Sequence, residues 1–112
     1  MCGRSWRRLP NHVVELRLSV AALRDLRQIR ADGIRDFGAA ASDAHMLGLE
    51  RLFGLLRRNP LAGQRRFEFT QPVRSLSLRP HRILYRVEDD KVSIDRIIHQ
   101  ARDVPRTFRK DQ

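Results

Sequence analysis

The alternation of apolar and polar residues predicts a strand followed by a helix at the start of the chain. Apolar residues occupy every second position near Val13–Leu18, which is the period of a strand. From Val20 the spacing changes to steps of three and four, which indicates a helix capped by Ser19 and ended by Gly38. Gly33 lies inside this helix, and we expect the helix to bend or fray there.

A second helical pattern follows and is expected to begin at Ser42 or Asp43. It ends before Asn59-Pro60, because proline disfavours helical geometry at the preceding residue. Its apolar residues follow the spacing of one buried face: Leu49, Leu52, Phe53 and Leu56. Since few residues join the two helices, we expect them to pack as an antiparallel hairpin.

The rest of the chain returns to alternation and predicts strands separated by turns. The predicted strands are Arg65–Thr70, Val73–Leu78, Arg82–Glu88 and Lys91–His99, with Asp89-Asp90 as a hairpin turn. The first strand has no extended neighbour nearby, so it is expected to pair with a strand from the far end. The order β-α-α-β-β-β predicts an α+β fold, a helical hairpin packed on one face of a small antiparallel β-sheet.

The length of 112 residues suits one domain with one modest core. We expect this domain over residues 13–105, a disordered or non-native extension over residues 1–12, and a flexible basic tail over residues 106–112. No apolar run is long enough to span a membrane and no secretory signal opens the chain, so a cytoplasmic location is expected. With one cysteine and no phosphate-loop, dinucleotide or zinc motif, we expect neither cofactor nor metal.

The charge balance indicates an anionic partner. Arginine and lysine number 23 against 13 acidic residues, for a net charge of +10. Such a field favours binding to a polyanion or an acidic protein. A group of arginines is expected on neighbouring strands and the tail: Arg74, Arg82, Arg86, Arg96 and Arg102. A charged outer sheet face is also an ordinary protection against edge pairing, so both interpretations stay open.

Two residues near the end of the predicted sheet carry candidate chemistry. Tyr85 lies between apolar residues, as expected for a core ring with its hydroxyl at the rim. His99 ends the last strand, where it either fastens the tail together with Arg102-Asp103 or moves a proton during RNA cleavage. The other three histidines are expected to be solvated: His12, His45 and His81.

Several segments, in this order, resemble the ParE/RelE superfamily of bacterial toxins from type II toxin–antitoxin modules, and the ParE branch in particular. The resemblance runs from Val14 to Pro105. It rests on LRLSVAALRDLRQI (Leu16–Ile29), FG (Phe37-Gly38), LLRRNPLAG (Leu55–Gly63) and VRSLSLRPHRILYRVEDDKVSIDRIIHQARD (Val73–Asp103). It implies a cytoplasmic, cofactor-free protein, neutralised by a small antitoxin that wraps it with a helix and an extended segment. It also implies a natural start near Val14.

The resemblance leaves three functions open. ParE-like members poison DNA gyrase without an established catalytic centre, and this function is favoured, with Arg82, Arg96 and Arg102 as expected target contacts. RelE-like members cut messenger RNA on the ribosome, and the candidates for that chemistry are Arg74, Arg82, Tyr85 and His99. That branch typically has a lysine-rich site, whereas this chain has two lysines. The third is a basic nucleic-acid-binding domain without toxicity, which has no recognition-helix signature in its favour.

The antitoxin is expected to be acidic and to cover the helical hairpin and part of the sheet with apolar side chains. The candidate contacts are apolar residues of the two helices: Leu23, Leu26, Leu49 and Phe53.

Overall fold

The computed structural model describes residues 13–100, which form two helices and five strands. The elements are β1 (Glu15–Leu18), α1 (Val20–Phe37), α2 (Ala39–Arg58), β2 (Gln64–Arg66), β3 (Val73–Leu78), β4 (His81–Glu88) and β5 (Lys91–His99). Neither helix in this stretch is long and apolar enough to cross a membrane. The expected extension over residues 1–12, the tail over residues 106–112, and Arg102-Asp103 lie outside the described residues.

The five strands form one sheet in the order β1-β5-β4-β3-β2. The first strand pairs with the last, which confirms the expected long-range pairing, with Leu16 opposite Val92 and Leu18 opposite Ile94. This pair is parallel and the other three pairs are antiparallel, so the sheet is mixed but mostly antiparallel. The predicted α+β fold with its helical hairpin is therefore confirmed.

The β4–β5 hairpin has two local features, its turn and a bulge, which determine the face of the sheet on which its side chains lie. Asp89-Asp90 forms the predicted turn, with Asp89 at φ 53°, a conformation that aspartate tolerates better than most residues. The register shifts between Leu84 and Tyr85, since Leu84 lies opposite Arg96 while Tyr85 lies opposite Ile94. This bulge leaves one residue of β5 without a directly opposed partner on β4.

The strand expected over Arg65–Thr70 is wrong in extent, because β2 covers only Gln64–Arg66. The chain turns at Phe67 and Glu68, where the Arg66 guanidinium donates two hydrogen bonds to a Glu68 carboxylate oxygen. The alternation of phenylalanines suggested a longer strand, but Phe67 is 80% exposed and Phe69 packs on a small cluster on the outer face of the sheet.

Helix α1 begins and ends where the sequence predicts. The Ser19 hydroxyl accepts the Ala22 N–H and donates to the carbonyl of Asp95, so the same side chain caps the helix and attaches it to β5. The helix ends at Phe37, with Gly38 at φ 95°. That φ lies in the range that glycine adopts without a steric penalty.

Two expectations about the helical hairpin are wrong. Helix α2 begins at Ala39, because Gly38 ends α1 and begins α2 with no intervening loop. Ser42 was expected at the start of this helix, but it lies within the first turn and its hydroxyl donates to the carbonyl of Arg30 on α1. Helix α1 also continues unbroken through Gly33, where an added Cβ would lie 2.8 Å from the Ser42 hydroxyl oxygen. Glycine is therefore used there for close helix packing.

The main core lies between the hairpin and one face of the sheet. It is formed by fully or nearly fully buried residues of both layers: Val14, Ala22, Leu49, Leu56, Ile83, Tyr85, Val92, Ile94 and Ile97. A smaller cluster lies on the opposite, outer face, where Val73, Leu84 and Ile98 are buried and Phe69 packs against them. The two clusters define the two faces on which the candidate functional residues lie.

Candidate functional site

The sheet separates the candidate ribonuclease residues onto two faces. Tyr85 belongs to the core under the helices, and Arg74 lies opposite it on β3, so both side chains are on the helix side. His99 also faces the helices, since it lines a cavity with residues of α1 and α2. Arg82 lies opposite Ile98, which belongs to the outer cluster, so Arg82 is on the other side.

Tyr85 is fully buried, which agrees with its interpretation as a core residue. Its hydroxyl accepts the Gly63 N–H at 2.7 Å and donates to the Pro60 carbonyl at 2.9 Å. Burial raises the pKa of this phenol above its ordinary value. An added Cβ at Gly63 would lie 2.5 Å from the Tyr85 hydroxyl oxygen, so only glycine permits this approach. The ring therefore fastens the loop after α2 to the sheet.

Arg74 serves the same loop from the neighbouring strand. It is half-buried, and its Nη1 donates to the carbonyl of Gly63 at 2.8 Å, with the carbonyl of Leu61 3.5 Å away. Its guanidinium thus contributes to holding the connection between α2 and β2. Because this group is already bound to backbone carbonyls, a phosphate would have to compete with them.

Arg82 differs from the other strand arginines of residues 13–100 in having a buried guanidinium nitrogen without a hydrogen-bond partner. Its Nε is buried and has no hydrogen-bond partner within that range. Burial, followed by the neighbouring positive charge of Arg66, lowers the pKa of Arg82, while Glu68 acts in the opposite direction. Two guanidiniums and one carboxylate therefore share this part of the outer face. A carboxylate or phosphate from a partner would complement the group.

Arg86 and Arg96 are held by acidic residues of the chain itself. Arg86 makes two hydrogen bonds to the carboxylate of Asp95, at 2.8 and 3.1 Å, and one to Glu88 at 3.0 Å. Arg96 makes two hydrogen bonds to the carboxylate of Asp25 on α1, at 2.7 and 2.9 Å. Forked pairs of this kind fix the guanidinium in place. Arg96, an expected target contact, thus has a role in joining β5 to α1.

Sequence reasoning missed a cluster of three histidines between the tip of the hairpin and one end of the sheet. His45 and His81 were expected to be solvated, but both are half-buried, and their ring nitrogens Nε2 and Nδ1 lie 2.9 Å apart. His81 lies opposite His99, with ring centroids 5.6 Å apart and the rings edge to face. Counting outward from the Asp89-Asp90 turn would have paired His81 with Ile98, because only the bulge between Leu84 and Tyr85 brings His81 opposite His99. The position of His45 gave no signal of its place in the cluster.

The cluster lines a cavity of about 300 Å³. The walls come from both helices and from the end of the sheet: Ile29, Asp32, Gly33, Asp36, Phe37, Ala41, Ser42, His45, Pro80, His81 and His99. No arginine contributes to this lining, and its two carboxylates belong to Asp32 and Asp36. Within residues 13–100, no group of three potential ligands has the arrangement of a metal site.

The residues expected to contact an antitoxin differ in their availability. Leu23 on α1 is 43% exposed. Leu26 and Phe53 are half-buried and pack on the core, so each presents part of its side chain to solvent. Leu49 has no exposed surface and cannot contact a partner in this fold, so we leave it out of the proposed surface. Other exposed apolar residues of the helices are Val20, Ile34, Phe37, Leu47 and Leu55.

The chain is similar to known proteins in sequence and in fold. Residues 16–104 match the family model described as the ParE toxin of type II toxin-antitoxin system, parDE. A solved structure of the chromosomal ParDE TA system from P. aeruginosa is 23% identical with a TM-score of 0.66, covering 80% of this chain and 98% of that chain. The toxin-antitoxin complex RelBE2 from Mycobacterium tuberculosis is 24% identical with a TM-score of 0.58, covering 78% and 98%. No curated protein sequence matches the chain.

Proposed function

The chain belongs to the ParE toxin family of type II toxin–antitoxin systems, and from this premise we propose that it acts by binding and inhibiting DNA gyrase rather than by cutting RNA. The observation that carries the proposal is the separation of the four candidate ribonuclease residues. Arg74, Tyr85 and His99 lie on the helix side of the sheet, whereas Arg82 lies on the outer side.

Cleavage of RNA through the 2′-hydroxyl needs a proton acceptor, a proton donor and a cation around one phosphate. The Tyr85 hydroxyl is buried and already makes two hydrogen bonds, so it is not available to protonate a leaving oxygen. His99 has two imidazoles near it, yet the cavity that it lines contains carboxylates and no arginine. A phosphate would find no guanidinium in this lining to bind it, which weakens the case for the ribonuclease.

The proposed target surface is centred on Arg82 on the outer face of the sheet. A buried Nε without a hydrogen-bond partner in the described chain is unfavourable until an acceptor supplies one. The Arg66 guanidinium lies beside it and adds to the attraction for a negative group. We propose that a carboxylate of gyrase binds here, with Arg102 as a second contact. Arg96 contributes indirectly, because its own guanidinium is paired with Asp25.

The proposed partner that neutralises the toxin is a small acidic antitoxin. Solved structures with this fold include a ParDE system and a toxin-antitoxin complex. The net charge of +10 favours an acidic partner, and the hairpin presents Leu23 together with parts of Leu26 and Phe53. Apolar side chains of the antitoxin would cover this part of the hairpin, while its carboxylates offset the basic charge.

Two assays on the purified protein test the proposed function. The protein is titrated into a DNA gyrase supercoiling reaction and, in parallel, into a ribosome-dependent messenger RNA cleavage reaction. We expect supercoiling to be inhibited while the transcript stays intact. Transcript cutting with unimpaired supercoiling would establish the ribonuclease instead. Nucleic-acid binding with neither effect would favour the non-toxic basic domain.

A further inference from the structure

A contact between two imidazoles joins the helical hairpin near its tip to the end of the sheet. His45 is on the second turn of α2, and His81 is the first residue of β4. Their facing nitrogens, Nε2 and Nδ1, lie 2.9 Å apart, which is the distance of a hydrogen bond. The contact links residues that are 36 positions apart and lies at the wall of the 300 Å³ cavity.

A hydrogen bond between these two nitrogens requires one hydrogen between them. If both rings are neutral, one nitrogen donates and the other accepts, and a pair with a single extra proton keeps the same bond. If both rings are protonated, both facing nitrogens carry hydrogens. The bond is then lost, and two positive charges face each other across a short distance.

We propose that the His45–His81 pair is a pH-sensitive latch, which holds the hairpin tip on the sheet and releases it when both rings are protonated. Release separates the first turns of α2 from the start of β4. It therefore opens the cavity between the hairpin and the sheet and exposes more of its apolar wall, which includes the half-buried Ile29.

The charged groups around the pair leave this behaviour intact. On α1, Asp32 and Asp36 line the cavity, but each of these carboxylates is within salt-bridge distance of Arg35. On β5, His99 lies edge-on to His81 and adds a third titratable ring. On α2, Asp43 is paired with Arg30. The carboxylates favour protonation of the cluster, but their arginine partners reduce this effect.

Protonation of the second ring determines whether a lower pH stabilises or destabilises the closed state. Burial lowers the pKa of His45 below its ordinary value of 6.5, and the loss of the shared hydrogen bond opposes protonation of both rings in the closed state. The open state therefore binds more protons below about pH 6.5, and the closed state loses stability as the pH falls. Each pH unit below that value increases the opening equilibrium by up to about tenfold.

A glutamine in place of His45 tests the latch, because its amide has both a donor and an acceptor. It can bind His81 in either protonation state, so the His45→Gln variant should lose the pH dependence. His81→Gln is the reciprocal variant and gives the same expectation if the first one folds poorly. His99→Gln is the matched control, since it removes a cavity histidine without removing the shared hydrogen bond.

The measurements are the melting temperature between pH 7.5 and 5.5 and the exchange of the α2 amides near His45, corrected for the intrinsic rate. We expect the wild-type protein and His99→Gln to lose about 4–8 °C more than the His45→Gln variant. We also expect the protection of these amides to fall by about fivefold from pH 6.5 to 5.5 in those two proteins, because the open state is already half protonated at pH 6.5. An equal pH dependence in the His45→Gln and wild-type proteins, or its loss in His99→Gln, would overturn the proposal.

Discussion

The Tyr85 hydroxyl donates to the carbonyl of Pro60, 25 positions earlier in the chain, while it accepts the N–H of Gly63. One buried side chain therefore satisfies two backbone groups of the loop that follows α2. Arg74 binds the carbonyl of Gly63 from the neighbouring strand. This loop joins the helical layer to the sheet, so the phenol and the guanidinium are structural ties between the two layers.

Removing the Tyr85 hydroxyl should destabilise the fold without changing the proposed inhibition of gyrase. The Tyr85→Phe variant leaves the Gly63 N–H and the Pro60 carbonyl without their partner in a buried place, which costs about 1–3 kcal/mol. Urea denaturation should show this loss, while gyrase inhibition per folded molecule stays unchanged. Unchanged stability together with lost toxicity would instead give the hydroxyl a chemical role.

The ion pair between Asp25 and Arg96 should matter far more than the other pairs of α1. Asp25 accepts both guanidinium hydrogen bonds and the backbone N–H of Ile97, with its side chain only 15% exposed. We expect Asp25→Asn to lower the free energy of unfolding by about 2 kcal/mol, because Arg96 loses its charge partner. Asp43→Asn is the control, because Asp43 is in an exposed pair with Arg30. This variant should change the free energy of unfolding by less than about 1 kcal/mol. Equal losses in both variants would contradict this interpretation.

Two glycines of the hairpin should respond to alanine in opposite directions. A Cβ at Gly54 meets nothing within 4 Å, so Gly54→Ala should stabilise the helix by up to about 1 kcal/mol. A Cβ at Gly33 would lie 2.8 Å from the Ser42 hydroxyl oxygen, so Gly33→Ala should force the helices apart and lower the melting temperature. Thermal melts of the two variants decide this, and a more stable Gly33→Ala protein would contradict the close packing.

The antitoxin surface can be tested at Leu23, the most exposed of the proposed apolar contacts. We expect Leu23→Lys to weaken binding of the proposed acidic antitoxin by at least about tenfold, since a charge replaces an apolar contact. Gln28→Lys adds the same charge at an exposed position of α1 and should leave binding nearly unchanged. Titration calorimetry measures both, and equal affinities for Leu23→Lys and wild type would exclude Leu23 from the interface.

Much of the fold could be predicted because its signals are local. The change from period two to period three and four near Ser19 marked the start of α1, and Gly38 marked its end. The pairing of β1 with β5 followed from the lack of any nearer strand. The strand predicted over Arg65–Thr70 was too long. Phe67 and Phe69 alternate with polar residues as in a strand, but Phe69 packs on the outer cluster from a bend.

The site residues were harder to predict because their partners depend on three-dimensional packing. Arg96 looked like a free surface arginine, but its partner Asp25 is 71 positions away on another element. His45 contacts His81 because α2 packs with this side chain towards the start of β4, and the local sequence does not indicate that orientation. Arg82 stands out from the other strand arginines only when the partners of Arg86 and Arg96 are known.

Arg82 on the outer sheet face is the proposed contact with gyrase, and one comparison tests this role most directly. The Arg82→Ala variant and the Arg86→Ala control, from the same face of β4, are titrated in the supercoiling assay after their melting temperatures are shown to be similar. We predict at least about tenfold weaker inhibition for Arg82→Ala and near wild-type inhibition for Arg86→Ala, because Arg86 is paired with Asp95. Full inhibition by Arg82→Ala would contradict the claim.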